Sequence, residues 1–78
     1  MLGIEDCLHL VERYLETDLD AHIIKDFGAD YGFVVSPKGS MASNGTIYFV
    51  NKRTGNVSEK RMYKIAKEWY YAKTVYSN

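Results

Sequence analysis

Four consecutive apolar residues near the middle of the chain, Ile47, Tyr48, Phe49 and Val50, constrain the fold more than any other feature. Turn-forming residues flank the run on both sides, so its length suits a strand. Successive side chains of a strand point to opposite faces, and here both faces are apolar. A strand over Thr46–Asn51 must therefore be covered twice, either as a central strand or by helices on one side and a partner on the other.

The length of the chain limits both its core and its chemistry. Its 78 residues make one domain, 1–78, and a domain of this size buries only about 60% of the surface that its unfolded chain exposes. A deep catalytic pocket would remove scarce core volume, whereas a homodimer would add to it. The single cysteine, Cys7, excludes an internal disulfide and indicates a reducing compartment. With no apolar run long enough for a bilayer, we expect a cytoplasmic protein without a membrane partner.

Apolar residues at helical spacing predict two helices, one near each end of the chain. The first runs from about Ile4 to Asp18, and its apolar face consists of Ile4, Cys7, Leu8, Val11, Tyr14 and Leu15. The second runs from about Ser58 to Thr74, where Ser58 is a favourable N-cap. Its apolar stripe consists of Met62, Ile65, Ala66, Trp69, Ala72 and Tyr76.

The segment between these helices is predicted to form strands. His22–Phe27 and Tyr31–Ser36 are rich in β-branched and aromatic residues, and Thr46–Asn51 is the clearest strand. Val57 is a candidate for a further short strand. The predicted fold class is α+β in the order helix, two or three antiparallel strands, helix, with both helices packed on one face of the sheet.

The charges are sorted by position although the net charge is zero. Met1–Tyr31 contains eight acidic and two basic residues, a net charge of −6, and Gly32–Asn78 contains the reverse, a net charge of +6. Such asymmetry indicates charged partners. The two halves are also suited to meet across the interface of a homodimer.

The outer face of the predicted second helix combines tyrosine with lysine. The candidate partner-binding residues are Tyr63, Lys64, Lys67, Tyr70, Tyr71 and Lys60. Tyrosines are rigid anchors in protein interfaces. Proteins that bind single-stranded nucleic acid use the same two residue types, because lysine contacts the phosphates and aromatic rings stack on the bases. A solvated basic face without any partner is the third interpretation.

A second, acidic face lies on the predicted first helix and consists of Glu5, Glu12 and Glu16. It would suit a basic partner through electrostatic steering, or imitate nucleic acid. A role in solubility alone is the simpler alternative.

No motif points to a catalytic residue, a metal ligand or a cofactor. Cys7 and His9 are two positions apart, so on a helix their side chains diverge by about 200°. A Cys7–His22 dyad is geometrically possible but has no supporting pattern. The loop Lys38–Gly45 lacks the spacing of a phosphate-binding loop and precedes a strand. We therefore predict a non-enzymatic protein without metal or cofactor.

One stretch resembles a pattern found in small bacterial α+β modules. The run Thr46–Val57 reads as an apolar strand followed by Asn-Lys-Arg-Thr-Gly-Asn-Val, similar to YrhB-like immunity proteins and PepSY-type domains. Asp30–Val34 after an N-terminal helix resembles the first of these. The likeness covers about a third of the chain, Asn51 stands where Asp is commoner, and no functional residue is carried over from it. It implies a protein that binds and neutralises another protein.

Together these observations predict a binding protein of bacterial or phage origin. The expected function is a protein-interaction module of the inhibitor or immunity type, which uses the Lys/Tyr face and the acidic face. The alternative is weak binding of single-stranded nucleic acid through the Lys/Tyr face.

Overall fold

A computed structural model describes all 78 residues. The chain forms one β-sheet with helices on both of its faces. The elements in chain order are helix α1 (Ile4–Leu15), strands β1 (Leu19–Asp26), β2 (Asp30–Pro37), β3 (Thr46–Asn51) and β4 (Val57–Arg61), a 3₁₀ turn (Met62–Lys64), helix α2 (Ala66–Tyr71) and strand β5 (Lys73–Ser77).

The five strands form an antiparallel sheet in the order β4-β3-β2-β1-β5. Strands β1 to β4 are consecutive hairpin neighbours, and the α2 segment then carries the chain back to the far edge, where β5 pairs with β1. Strand β3 is an interior strand and all of its residues except Asn51 are buried. The prediction that Thr46–Asn51 is a strand covered on both faces is confirmed.

Helix α1 begins as the sequence predicts and ends earlier than predicted. The Asp6 carboxylate accepts the backbone N–H of Gly3 at 3.2 Å, which satisfies a donor at the helix start. Glu16 adopts a left-handed conformation with φ of 55° and terminates the helix after Leu15, not at Asp18. The Glu12 carboxylate then accepts the N–H of Leu19 at 2.9 Å, so the turn into β1 is tied to the helix.

Two apolar clusters cover the two faces of the sheet. On the first face, Cys7 and Val11 of α1 are fully buried against β2 and β3, including Phe33, Tyr48 and Val50. On the second face, Trp69 of α2 packs with Ile47 and Phe49 of β3, and Met62 and Ile65 pack around them. Each face of β3 therefore belongs to a different cluster, as its uninterrupted apolar sequence requires.

The second face depends on a glycine. A Cβ atom at Gly32 would lie 2.9 Å from the Phe27 ring, 3.0 Å from Trp69 and 3.1 Å from Phe49. The optimal separation between non-bonded carbon atoms is about 3.5–4.0 Å, so all three distances are too short for an unstrained contact. The absence of a side chain at Gly32 thus allows three aromatic rings to meet over β2.

The predicted helix Ser58–Thr74 is wrong. Its first part is strand β4, its middle is the 3₁₀ turn and the six-residue helix α2, and its end is strand β5. The turn after β3, in which Gly55 has φ of 78°, returns Val57–Arg61 to pair with β3. Thr74 and Tyr76, which have β-branched and aromatic side chains, pair with β1. Helical spacing is present in the sequence, but hairpin pairing with β3 decides the start of the segment and pairing with the distant β1 decides its end.

The predicted arrangement of the helices is also wrong. The sheet has five strands where two or three were expected, and the chain contains one long helix. Helices α1 and α2 lie on opposite faces of the sheet because they bury their apolar sides in separate clusters. The helix–strands–helix class with both helices on one face is therefore replaced by a five-stranded antiparallel sheet covered on each side.

Candidate interaction surface

The segment Met62–Tyr71 is attached to the sheet by its apolar side. Trp69 is only 7% exposed and packs with Ile47 and Phe49, and its ring lies 5.8 Å from that of Phe27. The packing of Trp69 with Met62 and Ile65 agrees with the helical stripe predicted from the sequence, but Tyr76 of that stripe lies on β5 and on the first face of the sheet. The opposite side of the segment is consequently turned toward solvent.

That outward side presents three large aromatic residues. Tyr63, Tyr70 and Tyr71 are 75%, 74% and 75% exposed. The rings of Tyr70 and Tyr71 meet edge to face with centroids 5.2 Å apart, so each restricts the other. Adjacent exposed aromatic rings, such as those of Tyr70 and Tyr71, are a feature of interaction surfaces. We call Tyr63, Lys64, Lys67, Tyr70 and Tyr71 the tyrosine surface.

The lysines of the predicted site do not all belong to one helix. The Lys64 Nζ atom lies 6.0 Å from the centroid of the Tyr63 ring, and Lys67 is exposed on α2. Lys60 lies on strand β4, not on a helix, and its Nζ atom is 5.9 Å from the Phe49 ring. Its placement beside Tyr63 and Lys64 on a helical flank was therefore wrong. Lys60 borders the second face from the β4 edge.

A buried lysine that sequence reasoning missed fixes the end of α2. Lys25 of β1 is 9% exposed, and its Nζ atom donates to the carbonyl oxygens of Tyr70 and Ala72, each at 3.4 Å. The same ammonium group lies 5.4 Å from the centroid of the Trp69 ring. A positive charge at the carboxyl end of a helix is favourable, and here it holds the backbone that carries Tyr70 and Tyr71.

The acidic residues of the predicted face on α1 differ in whether their carboxylates are free to contact a partner. Glu5 and Glu16 are exposed, whereas Glu12 is engaged within the protein. The hydrogen bond from the Leu19 N–H, followed by that from His9 Nδ1 at 2.8 Å, lowers the pKa of the Glu12 carboxyl. Glu12 thus has a structural role, and Glu5 and Glu16 remain as the free part of the predicted acidic face.

A second charge pair joins the β1–β2 hairpin to the end of β3. The Lys52 Nζ atom lies 2.7 Å from Asp26 Oδ1 and 4.4 Å from the centroid of the Tyr31 ring. The bond from Lys52, and then that from the Gly28 N–H, lowers the pKa of Asp26. Lys52 is buried, so it is not available to extend a basic surface.

The one Ser–His contact has the wrong polarity for a nucleophile. His22 Nε2 and Ser36 Oγ are 2.6 Å apart, and Ser36 Oγ donates to the carbonyl oxygen of Ser40 at 2.6 Å. Since the single hydroxyl proton is used there, Ser36 accepts from His22 Nε2–H. The chain of bonds ties the loop after β2 to β1, and it leaves His22 without the free lone pair at Nε2 that a base needs.

The other candidate catalytic and metal-binding side chains are not brought together into a site. Burial raises the pKa of the Cys7 thiol, the neighbouring Asp6 adds to this, and Cys7 lies in the core under α1. No three His, Cys, Asp or Glu side chains are grouped so that they would hold a metal ion. Neither helix has the length and apolar character needed to cross a membrane.

The two predicted binding faces are separated by the sheet. Glu5 and Glu16 project from α1 on the first face, and the tyrosine surface projects from the second. A single flat partner therefore does not contact both. Comparison of the chain with protein-family models, with curated proteins and with solved structures returned no match.

Proposed function

We propose that this protein acts by binding another protein through the tyrosine surface. The observation that carries the proposal is the exposure of Tyr63, Tyr70 and Tyr71, each about three-quarters accessible, on a segment whose other side is anchored by Trp69. Tyrosine is enriched at interfaces because its large ring is ordered at a small entropic cost. An anchored segment adds to this, since little further ordering is required on binding.

The charge around the tyrosines indicates an acidic partner. Lys64 and Lys67 lie within the segment, and Glu68 is its only carboxylate. Complementary charge increases the rate of association and discriminates against basic partners. The inhibitor or immunity role belongs to this proposal and is supported by the resemblance of Thr46–Val57 alone. In that role the protein would neutralise its partner by occupying it and would carry out no reaction.

One contact favours a second candidate, single-stranded nucleic acid. The Lys64 ammonium lies over the Tyr63 ring, so a base stacked on Tyr63 would have a cation close to its phosphate. The two candidates differ in which side chains carry the affinity. Phosphate binding depends on lysine and decreases steeply with salt, whereas a protein interface depends mainly on its aromatic anchors.

The test is affinity capture from a lysate of the source organism, with and without nuclease, using the wild type, two variants of the tyrosine surface and one control variant. For a protein partner, we expect capture to survive nuclease, to be lost in Tyr70→Ala and to be only weakened in Lys64→Ala/Lys67→Ala. Tyr14→Ala on α1 is the control, since it removes a half-exposed tyrosine from the first face. Loss of capture on nuclease treatment would replace the proposal by the nucleic-acid candidate. Capture that is unaffected both by Tyr70→Ala and by Lys64→Ala/Lys67→Ala would refute both.

A further inference from the structure

The two edges of the sheet are not equally protected. Strand β4 has three consecutive charged residues, Glu59, Lys60 and Arg61, and such charges prevent another strand from pairing with an edge. Strand β5 has one charge, Lys73, followed by Thr74-Val75-Tyr76-Ser77, which favours a strand conformation. One side of β5 pairs with β1, and the backbone groups of its other side have no partner in the sheet.

An apolar groove lies beside this open edge, on the face that α1 covers. Its volume is about 520 Å³, and it is bounded by α1, by β1, by β5 and by the loop after β2. Met41 of that loop is 88% exposed and Tyr76 is 45% exposed. The apolar lining consists of Ile4, Leu8, Leu19, Ala21, Ile24, Met41, Val75 and Tyr76.

A bulge in β5 directs two side chains toward this groove. The pairing of β5 with β1 passes from Ile24–Tyr76 to Lys25–Thr74 and skips Val75. Because a bulge places an extra residue in one strand, Val75 and Tyr76 both line the same groove. The edge strand therefore offers two adjacent apolar side chains on the α1 face.

The acidic side chains that line the groove favour a basic occupant. Its two charged lining residues are Glu5 and Asp20, both acidic. Lys73 at the start of β5 is basic. A second β5, placed antiparallel along the first, would supply an unpaired strand edge, two apolar side chains and one positive charge.

We propose that the open edge of β5 binds β5 of a second copy of this chain, which joins two sheets into one of ten strands around a twofold axis. In the proposed antiparallel register, Val75 lies opposite the partner's Tyr76. Because β5 contains the bulge, this register places the two side chains of each opposed pair on the same face of the joined sheet. The same register brings the partner's Lys73 opposite Asn78, which lines the groove together with Asp20. The apolar groove is closed by the partner's Val75 and the partner's Tyr76. The tyrosine surface on the opposite face stays free.

The experiment is sedimentation equilibrium of the full chain over roughly 10 µM to 1 mM, the range in which small interfaces associate. We expect a mass that rises with concentration to twice that of the 78-residue chain. Tyr76→Glu places two carboxylates near the twofold axis, beside an acidic groove, and should weaken dimerisation at least tenfold. Lys73→Glu tests the same interface from an exposed position and should also weaken it, with more effect at low salt.

The matched control is Tyr70→Glu, which makes the same substitution at an exposed tyrosine of the second face. It should leave the dimer intact, and far-UV circular dichroism should show that every variant keeps the wild-type spectrum. A wild type that stays monomeric up to about 1 mM would overturn the proposal. So would a dimer that survives both Tyr76→Glu and Lys73→Glu, or one that Tyr70→Glu dissociates. None of these results depends on whether the tyrosine surface binds a partner.

Discussion

Replacement of Trp69 tests whether α2 is anchored to the second face of the sheet. A tryptophan side chain buries about 200 Å² of surface, and at about 25 cal/mol per Å² this is worth about 5 kcal/mol. Alanine retains a small part of that area, whereas the cavity left between Phe27, Gly32 and Phe49 adds to the cost. Lys25 also loses the ring beneath its ammonium group. We expect Trp69→Ala to lower the free energy of unfolding by about 3–5 kcal/mol.

A loss of that size is a large part of the total free energy of unfolding, which is about 4–12 kcal/mol for a domain of 78 residues. Urea unfolding should be followed by far-UV circular dichroism, because Trp69 is the only tryptophan and its fluorescence disappears with the mutation. Trp69→Phe keeps most of the apolar area and should cost less, about 1–2 kcal/mol. If Trp69→Ala costs less than about 1 kcal/mol, Trp69 does not anchor α2, and the argument for an outward tyrosine surface fails.

Three further predictions concern the groups that hold this structure. Gly32→Ala should destabilise the protein by about 1–3 kcal/mol in urea unfolding, since its Cβ would overlap three aromatic rings, whereas Gly3→Ala, where the nearest atom is 3.7 Å away, should cost less, because only the preference for glycine over alanine at the N-cap of α1 is lost. The lowered pKa of Asp26 means that the folded carboxylate stabilises the protein above its unfolded pKa, and this is lost as pH falls through the folded pKa. The thermal midpoint of Asp26→Asn should therefore depend less on pH below about 5 than that of the wild type. Glu12→Gln should reduce the same acid dependence, because the pKa of Glu12 is also lowered, and an unchanged pH profile in both variants would contradict these assignments.

The local sequence is sufficient to predict a helix or a strand where the pattern of apolar side chains fits only one of the two. Helix α1 has its apolar residues on one stripe, and β3 has apolar residues on both faces, so both were predictable at their first residues, Ile4 and Thr46. The burial of Trp69 and the exposure of Tyr70 and Tyr71 follow from helical geometry within α2, whereas Tyr63 is exposed from the 3₁₀ turn that precedes the helix.

Strand pairing decided what the periodicity of the sequence did not, once within a hairpin and once between the two ends of the chain. Val57–Arg61 is a strand because β3 precedes it through a tight turn, and Lys73–Ser77 is a strand because β1, some fifty residues earlier, has a free edge. The contacts of Lys25 with α2 and of Lys52 with Asp26 have the same origin. No periodicity connects these residues, so their burial was not predictable. The predicted position of Lys60 is wrong for this reason, because the helical spacing of the sequence continues through strand β4.

The measurement that tests the central claim most directly is quantitative capture by a triple variant, Tyr63→Ser/Tyr70→Ser/Tyr71→Ser, from a nuclease-treated lysate of the source organism. These side chains are mainly solvated, so the variant should unfold at nearly the same urea concentration as the wild type. We predict that a protein retained by the wild type and by Tyr14→Ala is lost from the triple variant. Equal retention of that protein by a folded triple variant would contradict the claim that this protein binds through its tyrosine surface.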